Sequence, residues 1–149
     1  MKIHLCDDHP LFTEALTSLM EAAGHQVVGR STSPEEAVAD LYRRPADVCL
    51  MDLHFPGRPG SGAEGAAAVI DAVLDAVPDQ AVVVLTASAD REEIEAASAA
   101  GARAVALKTD DSNEILAVIG AALAGSGSDA AVPPGAGPPR GGPGRPTWG

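Results

Sequence analysis

Five polar residues stand where an apolar, strand-like run gives way to a loop. Asp7 and Asp8 follow Ile3–Cys6, Asp52 follows Val48–Met51, Thr86 follows Ala81–Leu85, and Lys108 follows Ala102–Leu107. Parallel strands of an open α/β sheet bring their carboxyl ends to one edge, where such sheets bind ligands. These five side chains are therefore expected to meet. Three carboxylates about 5 Å apart would repel one another by about 3 kcal/mol per pair at an effective dielectric near 20. A cation must offset that repulsion, and a hard divalent ion with oxygen ligands, Mg²⁺ or Mn²⁺, suits the donor set. The chemistry such a site supports is phosphoryl transfer to a carboxylate. Asp52 would be the nucleophile, Lys108 would neutralise a phosphoryl oxygen, and Thr86 would donate a hydrogen bond to another.

The elements that position these residues can be read from periodicity and punctuation. Ile3–Cys6 reads as a first strand, and His9-Pro10 then opens a helix with proline in its first turn. Leu11, Ala15, Leu16, Leu19, Met20 and Ala23 recur at helical spacing on a predicted apolar face that Gly24 ends. Gln26–Gly29 is a second strand, and Ser33-Pro34-Glu35-Glu36 is a capping box for a helix burying Ala37, Val38 and Leu41. The third strand covers 47–51, and a glycine-rich loop from Pro56 to Gly62 leads to a helix carrying Ala66, Val69, Ile70, Val73 and Leu74. Ala81–Leu85 is a fourth strand, followed by a helix opened by Asp90 and Glu93 and ended by Gly101. Ala102–Leu107 is a fifth strand, and Asp111 with Glu114 caps a last helix bearing Ile115, Leu116, Val118, Ile119 and Leu123. Strands alternating with helices imply a doubly wound α/β domain, a parallel sheet covered on both faces.

Bulk composition narrows the function classes. The chain has 149 residues, and residues 1–124 hold 20 acids and 8 bases, a net charge of −12. That balance opposes a direct grip on a nucleic-acid backbone. Cys6 and Cys49 each lie within an apolar run and read as small core fillers rather than a disulfide framework. The N-terminus meets two acids after six residues, unlike a signal peptide. No apolar run approaches the roughly 20 residues of a membrane span. The reading is a soluble, cytoplasmic domain over residues 1–124. Of the 25 residues from Gly125 onward, 8 are Gly and 6 are Pro. This composition predicts a flexible linker or tail over 125–149.

With these residues in place, the sequence resembles the receiver domain of bacterial two-component response regulators over residues 1–124. Asp-Asp-His-Pro-Leu-Phe at 7–12, Met-Asp-Leu-His-Phe-Pro-Gly at 51–57, Leu-Thr-Ala at 85–87 and Gly-Ala-Arg-Ala-Val-Ala-Leu-Lys at 101–108 are most similar to the NarL/FixJ branch. The resemblance implies a five-stranded parallel sheet of order 2-1-3-4-5 with five helices. It implies that Asp52 is the phospho-acceptor, charged by a sensor histidine kinase. Asp7, Asp8, Asp52 and the backbone carbonyl of His54 would hold Mg²⁺, and Thr86 and Lys108 would be the switch hydroxyl and the phosphate-contacting lysine. It further implies self-catalysed phosphorylation and dephosphorylation rather than substrate turnover, a possible homodimer, and DNA contact only through a helix-turn-helix output domain beyond the linker.

Three features depart from the family pattern. Val105 stands where an aromatic switch residue is usual, so coupling from Thr86 is expected to be blunted or built differently. Phe55 replaces the usual Met before Pro56, and the segment between Gly60 and Pro78 is a few residues longer than is common. His54 is expected to line the site entrance and influence water attack on the acyl phosphate. His4, His9 and His25 show no metal-ligand spacing, and His9 reads as part of the helix start. Other chemistries fit less well. An aspartyl-phosphate phosphatase would need Asp-x-Asp after the first strand, and a flavin phosphate would be repelled by Asp7-Asp8. A pseudo-receiver acting only as an interaction or dimerisation module is the alternative.

Overall fold

The computed structural model describes residues 1–87 and 90–124; the tail expected over 125–149 lies outside them. The element order is β1 (Lys2–Cys6), α1 (Pro10–Ala22), β2 (Gln26–Ser31), α2 (Pro34–Arg43), β3 (Val48–Met51), α3 (Gly62–Leu74), β4 (Val82–Thr86), α4 (Arg91–Ala100), β5 (Ala104–Leu107) and α5 (Ser112–Ala124). All strand pairs are parallel, in the order β2-β1-β3-β4-β5. The order reverses between β1 and β3, which opens a crevice at the carboxyl ends of those strands.

The alternation of side chains divides the core into two layers. Cys6, Cys49, Met51, Val82 and Val84 face α2, α3 and α4, meeting Leu41, Ile70, Val73 and Ala97. Ile3, Leu5, Leu50, Val83 and Leu85 face α1 and α5, meeting Leu16, Met20, Ile115 and Ile119. The central strands β3 and β4 are buried at every position, as expected for a sheet covered on both sides.

Helix starts follow the predicted capping chemistry, with informative differences. The Glu93 amide donates to Asp90 Oδ1, and Asp111 and Glu114 cap one another reciprocally. At α2 the Glu36 amide donates to Ser33 Oγ, but the Glu36 carboxylate accepts from the amide and hydroxyl of Thr32 instead of closing the box on Ser33. Every strand shifts at one boundary or both: β1 begins at Lys2 and β4 covers Val82–Thr86. β2 runs on to Ser31, β5 begins at Ala104, and β3 begins at Val48 because the Asp47 carboxylate accepts from the Lys2 amide.

The predicted apolar face of α1 needs correction. Leu11 is 82% exposed, and Ala15 and Ala23 are exposed as well. The buried stripe is Thr13, Leu16 and Met20, flanked by Phe12 and Leu19. Thr13 can be buried because its hydroxyl donates to the carbonyls of Pro10 and His9. Cys6 and Cys49 are buried free thiols, and burial pushes the Cys6 thiol up to about 12. That makes both poor nucleophiles, in keeping with a packing role.

Candidate functional site

The sheet continues one residue past β1, β3 and β5, and this aligns the site. The Asp52 amide donates to the Cys6 carbonyl at 3.0 Å, Asp7 to Ser31 at 3.0 Å, and Lys108 to Thr86 at 2.8 Å. Each functional side chain thus leaves its strand at a backbone position held by a neighbour. Asp52 is 3% and Asp7 7% exposed. The ammonium of Lys108 lies 2.6 Å from Asp7 Oδ2 and 3.1 Å from Asp52 Oδ2, and it sits 4.6 Å over the ring of Phe12. The other Asp52 oxygen, Oδ1, accepts from the amides of Leu53 at 2.7 Å and His54 at 3.3 Å.

This arrangement gives Asp52 unusual electrostatics. Burial pushes its carboxyl above the usual carboxylate range. Lys108 pulls it back, Asp7 pushes it up again, and the amide of Leu53 lowers it. The net direction is upward, so a further positive charge would stabilise the ionised form. Asp8 indicates where that charge belongs, because its Oδ1 is buried without a hydrogen-bond partner. One donor atom each from Asp7, Asp8, His9 and Asp52 lies within 4.8 Å of the others, so the cluster can hold a metal ion.

The structure brings Asp7, Asp8, Asp52 and Lys108 together as expected. Thr86 lies fully buried at the end of β4, beside β3. Val105 pairs with Val84 on the adjacent strand and is half-buried against the α2–α4 side of the core. The His54 ring projects to the rim, 52% exposed, with Nε2 3.0 Å from Glu93 Oε1.

His9 stands at the start of α1, as the sequence implies, and its side chain also joins the carboxylate cluster. Its amide and its Nδ1 both bond Asp7 Oδ1, at 2.9 and 2.7 Å, and Nδ1 lies 3.2 Å from the Lys108 ammonium. Its backbone does begin α1, but the side chain makes no capping bond. The signal available in the sequence was its adjacency to Asp7-Asp8, since any turn that converges two carboxylates carries the next side chain with them. Spacing assigns Glu93 to the start of α4 and gives Phe12 no place on the apolar face of α1. Glu93 caps α4 with its amide and sends its carboxylate to His54, a division of labour that spacing does not encode.

Next to the carboxylates lies a groove of about 440 Å³ lined by Asp8, His9, His54, Phe55, Arg58 and Glu93 among others. The loop from β3 to α3 walls it. Gly60 adopts φ +88°, and a Cβ at Gly65 would come within 3.2 Å of the Gly60 carbonyl oxygen, so two glycines permit this tight return. Arg58 braces the loop through two bonds to Glu35, at 2.7 and 2.8 Å.

A five-stranded parallel sheet of this order, with buried carboxylates and a lysine at its switch point, defines an α/β domain of the flavodoxin-like class with an acidic site. Comparison with known proteins places it: residues 3–120 match the family model for the response regulator receiver domain, and the chain belongs to that family. Phosphorylation-based switching in two-component systems is the family's function.

Among curated relatives, the chain is 32% identical to the protein PilH of Pseudomonas aeruginosa over 124 residues, covering 83% of this chain and 98% of that one. It is 31% identical to the transcriptional regulatory protein YhcZ of Bacillus subtilis over 117 residues, 78% of this chain and 52% of that one. The chain thus spans little more than half the length of several transcriptional regulators it matches. Among solved structures, the signal receiver domain of NarL from Mycobacterium tuberculosis aligns with TM-score 0.69 and 26% identity, covering 83% of this chain and 96% of that one. A LuxR-family response regulator from an Aurantimonas species aligns with TM-score 0.72 and 27% identity, covering 87% and 89%. The NarL/LuxR group is the structural neighbourhood expected from the motifs. Among the described residues, no helix is long and apolar enough to cross a membrane.

Proposed function

We propose that Asp52 accepts the phosphoryl group from the phosphohistidine of a sensor histidine kinase. The carrying observation is that Asp52 and Asp7, both more than nine-tenths buried, share the Lys108 ammonium within 3.1 Å. A carboxylate oxygen of Asp52 attacks phosphorus, the P–N bond breaks, and the donor imidazole leaves with the bonding pair and takes up a proton. Asp7, Asp8, Asp52 and the His54 carbonyl would hold Mg²⁺, which supplies charge neutralisation at the phosphoryl oxygens when bound. The unpartnered Asp8 Oδ1 and the hard oxygen donors support that choice. Lys108 neutralises another oxygen, and Thr86 moves to bond the phosphoryl group, biasing a two-state surface. Val105, lacking a ring, transmits this movement through packing against the α2–α4 layer.

In this reading residues 1–124 are the switch and 125–149 the linker to a helix-turn-helix output domain that regulates transcription in the cytoplasm. Homodimerisation would follow from the switched surface. The experiment is incubation with a small phosphodonor and Mg²⁺ followed by intact-mass measurement. One added phosphoryl group is expected, absent in Asp52→Asn. No uptake by the wild type at saturating donor would refute the assignment.

A further inference from the structure

Lys108 reaches the acids of β1 and β3 on a flexible four-carbon stem, from a backbone amide fixed on the Thr86 carbonyl at 2.8 Å. Its ammonium makes three polar contacts, 2.6 Å to Asp7 Oδ2, 3.1 Å to Asp52 Oδ2 and 3.2 Å to His9 Nδ1. It also stands over the ring of Phe12, 4.6 Å from the centroid, well inside the range of a cation–π attraction. We propose that Phe12 is a positioning residue for phosphoryl transfer, whose ring face holds the Lys108 ammonium at the carboxylates and keeps hold of it as negative charge passes from Asp52 to the phosphoryl oxygens. The proposal rests on the phospho-acceptor reading and adds no bond-making step to it.

The start of α1 places the ring. The Asp7 carboxylate accepts from the His9 amide at 2.9 Å, and Pro10 opens the helix with its fixed φ, so the first turn takes its register from Asp7 itself. Phe12 is the third residue of that helix and packs on the core layer that contains Leu16. Ring and acid therefore share one frame, with the ammonium in contact with both. A cavity of about 10 Å³ is bounded by Phe12, Leu16, Leu50, Leu85, Asp7 and Asp52. That is about the least space that holds a water, and it gives the ring room to shift.

A ring suits this place better than another polar group would. Its face is electron-rich, so it attracts the cation without taking any of the three ammonium N–H donors. Those donors stay free for Asp7, Asp52 and an arriving phosphoryl oxygen. A further carboxylate would compete for them, and an aliphatic side chain would offer the charge nothing. Once an Asp52 oxygen is bonded to phosphorus, the ammonium has to move toward the phosphoryl oxygens. Attraction to a ring face tolerates such a shift where a directed hydrogen bond would break.

The test replaces Phe12 with 4-fluoro-, 3,5-difluoro- and pentafluorophenylalanine, which keep the ring's shape while draining electron density from its face. Phosphorylation is followed by intact mass against the concentration of a small phosphodonor in Mg²⁺. The maximal rate is expected to fall stepwise, by about 3- to 30-fold at the end of the series, with the half-saturating donor concentration unchanged. Phe12→Tyr should match the wild type, Phe12→Leu should match the pentafluoro protein, and in the Lys108→Met background the series should be flat. Lys2 and Lys108 are the only lysines, so lysine-selective labelling supplies a second readout by NMR. The ring current should displace the Lys108 ε-methylene protons upfield relative to those of Lys2, both before and after phosphorylation. Equal rates along the series with uptake retained would overturn the proposal, since the ring would then act through packing alone. Loss of the upfield displacement on phosphorylation would overturn it too. No uptake by any of the proteins, the wild type included, would instead refute the Asp52 assignment and the role of Phe12 with it.

Discussion

Lys108 is the position where the electrostatics of the site can be measured most directly. Its side chain is 11% exposed, and its ammonium lies 2.6 Å from Asp7 Oδ2 and 3.1 Å from Asp52 Oδ2. At an effective dielectric near 20 these attractions amount to about 6 and about 5 kcal/mol before desolvation is subtracted. Breaking a buried pair by removing one partner costs about 3 to 5 kcal/mol, because the remaining charge is left uncompensated. Lys108→Met keeps the length of the stem and its contact with Phe12 but leaves two buried carboxylates facing each other. The expected loss is in that range, read by urea unfolding at pH 8 with chelator present. Repeating the substitution in Asp52→Asn should recover about 1.5 to 3 kcal/mol, since one of the two uncompensated charges is gone. Asp52→Asn alone should stabilise the metal-free protein, because burial and Asp7 hold the Asp52 carboxyl above its usual range. The folded state binds that proton more tightly than the unfolded chain does, so the group's contribution is lost as pH rises through the raised value. If Lys108→Met costs the same in both backgrounds to within about 0.5 kcal/mol, the lysine acts through stem packing and the electrostatic account fails.

Two further outcomes probe the scaffold. His4 is fully buried, bonds Ser31 Oγ at 2.8 Å through Nε2, and has no partner at Nδ1. Burial depresses its pKa, partly opposed by Asp40. Its stabilising contribution is therefore complete above the ordinary imidazole value of about 6.5 and lost as pH falls toward the depressed one. The stability difference between wild type and His4→Leu should change by at most about 1.4 kcal/mol per pH unit below that point, and a pH-independent difference would contradict the neutral assignment. Gly101 ends α4 at φ +124°, and a Cβ there would lie 2.5 Å from Leu74 Cδ1. Gly101→Ala should cost about 2 to 4 kcal/mol by urea unfolding from strain plus overpacking. Gly120→Ala, in α5 where a Cβ meets nothing within 4 Å, should gain about 0.5 to 1 kcal/mol.

The layered fold was readable from local information. Buried parallel strands appear as unbroken apolar runs such as Val82–Leu85, and helix starts carry their caps within four residues, as Asp90 with Glu93 and Asp111 with Glu114 do. Where reading failed, the deciding interaction was not local. Leu11 fits a helical stripe by spacing, yet the angle at which α1 lies on the sheet is set by Phe12, Leu16 and Met20, leaving Leu11 in solvent. The β3 boundary depends on Asp47 meeting Lys2, 45 residues earlier.

The same division runs through the site. Sequence order alone put Asp7, Asp8, Asp52, Thr86 and Lys108 at strand ends, because parallel connectivity sends every carboxyl end to one edge. Which groups touch is a matter of angstroms set by register, and only the tertiary structure decided it. The Asp52 amide on the Cys6 carbonyl brings the acid of β3 beside the acids of β1, and Lys108 reaches them across β4. That same register brought the helix-start residue His9 into the carboxylate cluster and tied His54 to Glu93 across 39 positions. A side chain's type and place on its strand are local properties, but its neighbours depend on the packing of every element around it.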